Sequence, residues 1–180
     1  MNKIIIIILL VISSNGIWAQ ATKNPSSMTK KEKKELELNK EYLMNKSMLD
    51  NRDFVLEANY LQDRFGNRHI VNSMINFVAV DSMTAIIQIG SDYHNGPNGV
   101  GGVTAKGRIT GWQLTEDKKN RSFDLTVNVM TNIGIYDLQF SIGLWGNSTV
   151  RLTGLTSGQL TFEGDLVPYS LSSVYVGHSL

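Results

Sequence analysis

The sequence SFDLTVNVMTNIGIYDLQFSI occupies residues 122–142 and decides the fold class. Two runs within it place an apolar residue at every second position. These residues are Phe123, Leu125, Val127 and Val129 in the first run, and Tyr136, Leu138, Phe140 and Ile142 in the second. A period of two is typical of a β-strand with one buried face. The stretch therefore predicts two strands, each with one apolar and one more polar face.

The same period recurs on both sides of this stretch. The other alternating residues are Phe54, Leu56, Ala58, Tyr60; Ile75, Phe77, Ala79; Ala85, Ile87, Ile89; Val103, Ala105, Gly107, Ile109; Val150, Leu152; and Leu160, Phe162, Leu166. Turn residues separate the runs, so the chain predicts about eight strands. No long helix lies between them, which argues against an α/β fold, and the alternating faces favour antiparallel pairing.

The edges of such a meander must be hidden, either by closure into a barrel or by packing as a two-sheet sandwich. Both closures remain open at this point. A barrel of eight strands has an interior that side chains fill or that holds one small ligand. A membrane barrel, the third option, would place apolar residues on its outer face. The polar faces here disfavour it, since they carry Glu57, Lys106, Arg108, Asp124, Asn128 and Arg151.

A helix is predicted before the strands. Residues 20–28 are polar and form a flexible leader, and Thr29 followed by Glu32 has the spacing of a capping box. The helix should extend over residues 29–49. One stripe of it carries Leu38, Tyr42, Asn45 and Leu49, with Leu36 and Leu43 beside it. The helix and strands together predict a single domain over residues 29–180.

Residues 1–19 have the layout of a secretory signal peptide. Lys3 precedes the apolar run at residues 4–12, and Ala19 provides a small residue for cleavage. The run is too short to span a bilayer, so the mature chain should not be membrane-spanning. We expect a periplasmic or secreted protein that begins at Gln20. The chain contains no cysteine, which excludes disulfides and thiolate chemistry.

Charge excludes a general preference for nucleic acid. The chain has 17 Lys+Arg and 16 Asp+Glu, and removal of Lys3 with the signal peptide leaves 16 of each sign. Such a balance gives no electrostatic attraction to a polyanion. The one basic cluster lies at residues 30–34 and is interrupted by Glu32. A solvated helix face is the better interpretation of this pattern.

Three stretches together resemble a known family. They are NRDFVLEA at residues 51–58, NGPNGVGG at residues 95–102, and LTFEGDLVPYS at residues 160–170 with the final GHSL at residues 177–180. The sequence resembles the exported Bacteroidetes family DUF4251, a domain of unknown function, over about residues 30–180. The resemblance implies a signal peptide, a short N-terminal helix and a lipocalin-like β-barrel. We therefore predict an all-β fold in which about eight antiparallel strands close into such a barrel, preceded by an N-terminal α-helix. It implies no activity and no cofactor.

The glycine-rich stretch from Gly90 to Gly102 is the most unusual local feature. It leads into a strand and lacks the GK[ST] of a phosphate-binding loop, and no G-x-G-x-x-G opens a helix. Two interpretations stay open, a long hairpin connection or a loop at a barrel mouth that meets a ligand or partner. The candidate contact residues are Tyr93, His94, Asn95, Asn98, Gly99, Gly101 and Gly102.

The sequence gives little support for a metal or for catalysis. Asp92 and His94 would share a strand face, but two ligands are too few for a transition metal. Glu163 and Asp165 also share a face, and surface acids explain them better than a glycosidase pair. We therefore predict no catalytic residue, no metal and no cofactor.

Three functions remain after these exclusions. The first is a non-enzymatic binding module for a small apolar or amphipathic ligand. The second is a protein-interaction or envelope-assembly factor that uses the glycine-rich loop and the basic helix. A hydrolase is the third and weakest.

The C-terminal residues Tyr169, Val174, Tyr175 and Val176 form an apolar tail that is predicted to pack back on the barrel.

Overall fold

The computed structural model describes residues 28–91, 96–154 and 158–180. The predicted signal peptide and nearly all of the leader lie outside these residues. Within these residues, one α-helix and nine strands follow in order: α1 Lys30–Asn51, β1 Asp53–Asp63, β2 Arg68–Ile70, β3 Phe77–Asp81, β4 Thr84–Ile89, β5 Val103–Asp117, β6 Ser122–Thr131, β7 Gly134–Ile142, β8 Asn147–Gly154 and β9 Gln159–Pro168. A short 3-10 helix, Tyr169–Leu171, follows β9.

Eight of the strands close into an antiparallel barrel. Each strand from β3 to β8 pairs with the next along the chain, and β1 pairs with both β3 and β9. The pairing of β1 with β9 removes the free edges that an open sheet would expose. The short β2 pairs with β1 at residues 60–62, beyond the end of β3. The predicted barrel is confirmed, and the two-sheet alternative is not what the chain forms.

Side chains fill most of the barrel interior. The two runs of residues 122–142 behave as predicted, since their alternate apolar side chains are buried inside, Tyr136 only in part. They pack with inward-facing residues of the other strands, among them Phe54, Leu56, Val78, Val80, Ile87, Val150, Phe162 and Leu166. Burial of this apolar surface is the main source of stability in a domain of this kind.

Helix α1 covers one end of the barrel. It begins at the predicted capping box, in which the Thr29 side chain accepts from the Glu32 amide. Tyr42 stacks on Phe123 with ring centroids 5.4 Å apart. Asn45 donates to the carbonyl oxygen of Leu144 at 2.9 Å, so the helix is joined to the β7–β8 turn.

The predicted helix stripe is confirmed in part. Asn45 and Leu49 are buried, whereas Leu36 and Leu43 are exposed. The helix ends at Asn51, two residues later than predicted. Among the described residues, no helix combines the length and apolar character needed to cross a lipid bilayer.

Strand β1 departs from the predicted alternation at a bulge. The register shifts between Ala58 and Tyr60, which places one extra residue on β1. Inward-facing positions therefore continue at Leu61, which is buried, and not at Tyr60. The expected inward face of Tyr60 was wrong because a strict period of two cannot register an inserted residue.

Strand β3 is buried on both faces, which reverses the predicted face. Val78 and Val80 point into the barrel, whereas Phe77 and Ala79 belong to a second apolar cluster outside it. Tyr169 and Val174 of the C-terminal segment cover that outer cluster, together with Val167 at the end of β9. The prediction that the tail packs back on the barrel is confirmed for Tyr169 and Val174, whereas Tyr175 and Val176 are exposed. The packed part of the tail is the reason that β3 has no polar face.

Strand β5 is longer than predicted. It continues beyond residue 110 to Asp117, with a register shift between Ile109 and Gly111. Trp112 packs against the core, and its ring lies 6.4 Å from that of Phe54 and 4.7 Å from the guanidinium carbon of Arg52. The extension carries β5 to the end that α1 covers.

Candidate functional site

The barrel end opposite α1 contains a small apolar cavity, called the mouth here. Its volume is about 220 Å³. The residues that line it are Ile89, Tyr136, Leu152, Gly154, Gly158, Gln159 and Leu160. Four of these, Ile89, Tyr136, Leu152 and Leu160, are partly buried and pack on the main core. As far as the described residues show, the mouth is therefore the outer rim of the barrel core and is open on one side.

Strand register explains how the mouth forms. Leu152 faces Leu160 across β8 and β9, and Tyr136 faces Gly154 across β7 and β8. Cross-strand partners place their side chains on the same face. Because Gly154 has no side chain, the Tyr136 ring can pack over its backbone, where an added Cβ would lie 3.2 Å from the ring.

The glycine-rich loop joins β4 to β5 at the mouth end. Asn98, one of the predicted contact residues, is fully buried. Its side-chain nitrogen donates to the Thr104 hydroxyl at 3.1 Å, and its side-chain oxygen accepts from the amides of Val100 and Gly102 at 3.1 and 2.9 Å. The amide group of Asn98 thus shapes the loop from within, as in an Asx turn.

Two of the predicted glycines take backbone conformations that L residues rarely adopt. Gly99 has φ of 77° and Gly101 has φ of 79°. Glycine populates this region at no steric cost, so both positions have a structural reason for their residue type. Tyr93, His94 and Asn95 lie outside the described residues, and their contact with a ligand or partner stays a prediction.

A buried polar cluster fixes the loop to the C-terminal segment, and the sequence prediction missed it. Gln88 on β4 is fully buried on the outer wall under the tail. It accepts from the Thr104 hydroxyl and from the Gly177 amide, both at 2.8 Å, and donates to the carbonyl oxygen of Tyr175 at 2.8 Å. Gln88 is the one polar residue in the otherwise apolar run AIIQI, residues 85–89, and this departure from the pattern could have revealed the cluster.

Glu163 and Asp165, the two acids that share a strand face, each contact a neighbouring side chain. Glu163 forms an ion pair with Arg68 at 2.6 Å. The Asp165 carboxylate accepts a hydrogen bond from the side-chain amide of Asn59 at 3.4 Å. Within the described ranges, no group of three or more His, Asp or Glu residues is arranged to hold a metal ion.

Glu116 lies where β5 meets α1 and links the two. It accepts hydrogen bonds from the Tyr42 hydroxyl and from the Lys46 ammonium group. Both bonds hold the pKa of the Glu116 carboxyl below its usual range, and the bond from Tyr42 has the larger effect. The same contact raises the pKa of Tyr42. This charged group attaches the helix to the barrel and lies at the end away from the mouth.

Comparison with known proteins gives a family. The family model described as "Domain of unknown function (DUF4251)" matches residues 35–166. The crystal structure of a DUF4251 family protein from Bacteroides eggerthii is similar with a TM-score of 0.62 and 27% sequence identity, covering 73% of this chain and 90% of that chain. No curated protein matches the chain. The resemblance found in the three sequence stretches is thereby confirmed, and the chain belongs to the DUF4251 family, a family of unknown function with a β-barrel fold.

Proposed function

We propose that the protein is a non-enzymatic binding module that takes the apolar part of an amphipathic molecule at the mouth. The observation that carries this proposal is the position of the cavity. It is lined by Ile89, Tyr136, Leu152 and Leu160 at the one barrel end that α1 does not cover. A lipocalin-like barrel would use the same end, since small barrels hold a single ligand at their open side.

The size of the mouth limits what enters it. At about 220 Å³, it is smaller than the roughly 300–1,000 Å³ of pockets that enclose a drug-sized ligand. Below the mouth the interior is packed, with Leu138 and Phe162 fully buried. A ligand therefore inserts one end, such as the terminus of an alkyl chain, and keeps its polar head outside.

Binding of decanoic acid and decylamine to the purified protein tests this proposal. The two probes share an alkyl chain and carry opposite charges, so recognition of the chain predicts binding of both. Leu152→Trp should fill the mouth and abolish binding, and Leu160→Phe should weaken it. Arg151→Trp is the matched control, because Arg151 is the exposed, outward-facing neighbour of Leu152. Absence of binding by both probes, or equal binding by Leu152→Trp, would reject the proposal.

A second function, contact with a protein partner, is favoured by an apolar patch at the β6–β7 hairpin. Met130 and Ile135 are cross-strand partners, and Ile133 lies in the turn between them. Their side chains are 47%, 43% and 42% exposed. Exposed apolar groups that adjoin one another are typical of interaction surfaces. Ile135→Lys should abolish co-purification of an envelope protein under this second function and leave probe binding at the mouth unchanged.

We also propose that the protein acts after export. The support is the sequence of residues 1–19, which combines Lys3, an apolar run and a small residue at the expected cleavage position. The absence of cysteine from the chain is compatible with folding in any redox environment.

A further inference from the structure

A polar groove crosses the outer wall of the barrel, away from the mouth. Its volume is about 440 Å³. It is lined by residues of six strands and one turn: Asn59, Tyr60, Arg68, Ser122, Ser141, Ile142, Gly143, Asn147, Ser148, Thr149, Glu163, Gly164 and Asp165. This volume is within the usual range for a ligand site, roughly 300–1,000 Å³. The proposed function at the mouth does not involve it.

Strand register arranges the side chains that line the groove in two parallel rows across the strands. Across β1, β9, β8 and β7, Tyr60 faces Glu163, Glu163 faces Thr149, and Thr149 faces Ser141. Three inter-strand spacings of about 4.8 Å make this row roughly 14 Å long. A second row runs beside it, in which Asp165 faces Asn147 across β9 and β8.

One wall of the groove is held in place before any ligand arrives. The guanidinium carbon of Arg68 lies 3.5 Å from the centroid of the Tyr60 ring. The same guanidinium contacts the Glu163 carboxylate at 2.6 Å. Of its five N–H donors, one carboxylate engages at most two in a bidentate pair, so donors remain for a ligand. Stacking and ion pairing together reduce the rotamer freedom that binding would otherwise remove.

The floor of the groove consists of small groups that donate and accept hydrogen bonds. Ser122, Ser141 and Thr149 contribute hydroxyls, and Asn59 and Asn147 contribute amides. Charge is nearly balanced, since Glu163 neutralises Arg68 and Asp165 is the other charged residue of the lining. This near-neutrality disfavours phosphate-bearing or other strongly anionic ligands.

We propose that the groove binds a short, neutral oligosaccharide laid across the strands, with Arg68, Asn59, Asn147 and Asp165 as hydrogen-bonding partners. The hydroxyls of a sugar both donate and accept, and the lining offers both kinds of partner. An elongated site across several strands suits a linear chain better than a compact molecule. The site is separate from the mouth, so each is tested without reference to the other.

The test uses short linear oligosaccharides of glucose, mannose and N-acetylglucosamine, with spermine and an oligogalacturonate as charged probes. We expect calorimetry to detect binding of at least one neutral oligosaccharide and of neither charged probe. Ser141→Trp should weaken that binding about tenfold or more by filling the row. Gln139→Trp is the matched control, because Gln139 is also exposed on the outer face of β7 but lies outside the lining.

Further variants keep the proposal falsifiable if Ser141→Trp folds poorly. Asn59→Ala and Asp165→Asn alter exposed side chains of the lining and should each weaken the same binding, with thermal unfolding unchanged. Three results would overturn the proposal: no binding by any neutral oligosaccharide, equal binding by Ser141→Trp and the parent protein, or a preference for spermine that Asp165→Asn removes. The last result would assign the groove to a cationic ligand.

Discussion

The backbone amide of His178 donates to the carbonyl oxygen of Asn98 at 2.9 Å. This bond joins the C-terminal segment to the glycine-rich loop, two stretches nearly eighty residues apart by their numbers. Leu180 adds a second bond of this kind to the Thr104 carbonyl at 3.1 Å. The loop, the start of β5 and the C-terminal segment therefore form one structural unit on the outer wall.

Gln88 should contribute strongly to the stability of that unit. Gln88→Leu removes the acceptor to which the buried Thr104 hydroxyl and the Gly177 amide donate, and each donor left without an acceptor costs about 1–3 kcal/mol. We expect urea denaturation to show a loss on the order of 3 kcal/mol in the free energy of unfolding. Gln113→Leu, at an exposed strand position, should change it by less than about 0.5 kcal/mol. Similar effects of the two changes would contradict the role given to Gln88.

Alanine at Gly99 or Gly101 should destabilise the protein. Both glycines have positive φ, which costs an L residue about 1–2 kcal/mol. Asparagine tolerates this conformation better, so Gly99→Asn should recover part of the loss. Thermal unfolding of the three single variants measures the effect. An unchanged or higher Tm in both alanine variants would show that the loop relaxes without cost.

The faces of β6 should differ sharply in sensitivity to truncation. Leu125 is buried in the barrel and Asp124 is exposed on the outside. Leu125→Ala should lower the free energy of unfolding by about 2–5 kcal/mol, and Asp124→Ala should lower it by less than about 0.5 kcal/mol. Both values come from chemical denaturation at one pH. Equal losses would be incompatible with the assigned faces.

Acid should loosen the attachment of α1 through Glu116. The Glu116 pKa is lower in the folded protein than its ordinary value of about 4.3. A lowered pKa contributes stability above the ordinary value, and that contribution is lost as the pH falls through the lowered folded value. The stability difference between the parent protein and Glu116→Gln should therefore be constant near neutral pH and shrink below about pH 4. A difference that stays constant down to about pH 3 would argue against this linkage.

Export makes a prediction that does not depend on the barrel. N-terminal sequencing of the protein from its native cells should begin at or near Gln20, because cleavage is expected after Ala19. Fractionation should place the processed chain outside the cytoplasm. An intact Met1 on protein recovered from the cytoplasm would contradict the assignment.

The sequence revealed those strands that have one buried face. Leu125 and Val127 alternate with polar residues, and this local pattern is enough to assign both strand and face. Phe77 and Ala79 were misassigned because the C-terminal segment covers their side of β3, and no local period reports a distant covering segment. Tyr60 was misassigned because a bulge changes the register without changing the residue types.

The candidate sites were harder to predict for a related reason. The groove brings Asn59, Ser141, Thr149 and Asp165 together from four strands, and each of these residues alone looks like an ordinary surface position. Gln88 was overlooked because a glutamine is expected at the surface. Residues that come together only through strand pairing share no local pattern in the sequence. They can be recognised as one site only once the pairing is known.

The pairing of β1 with β9 bears on the order of events in folding. The first strand of the barrel pairs early with β2 and β3 on one edge, but its other edge finds its partner, residues 160–168, only when the last strand is present. A high contact order of this kind slows folding into the range of milliseconds to seconds. Until β9 arrives, the edge of β1 remains open to pairing with other chains. We therefore expect folding intermediates of this protein to aggregate more readily than its native barrel, and to be natural clients of a holding chaperone.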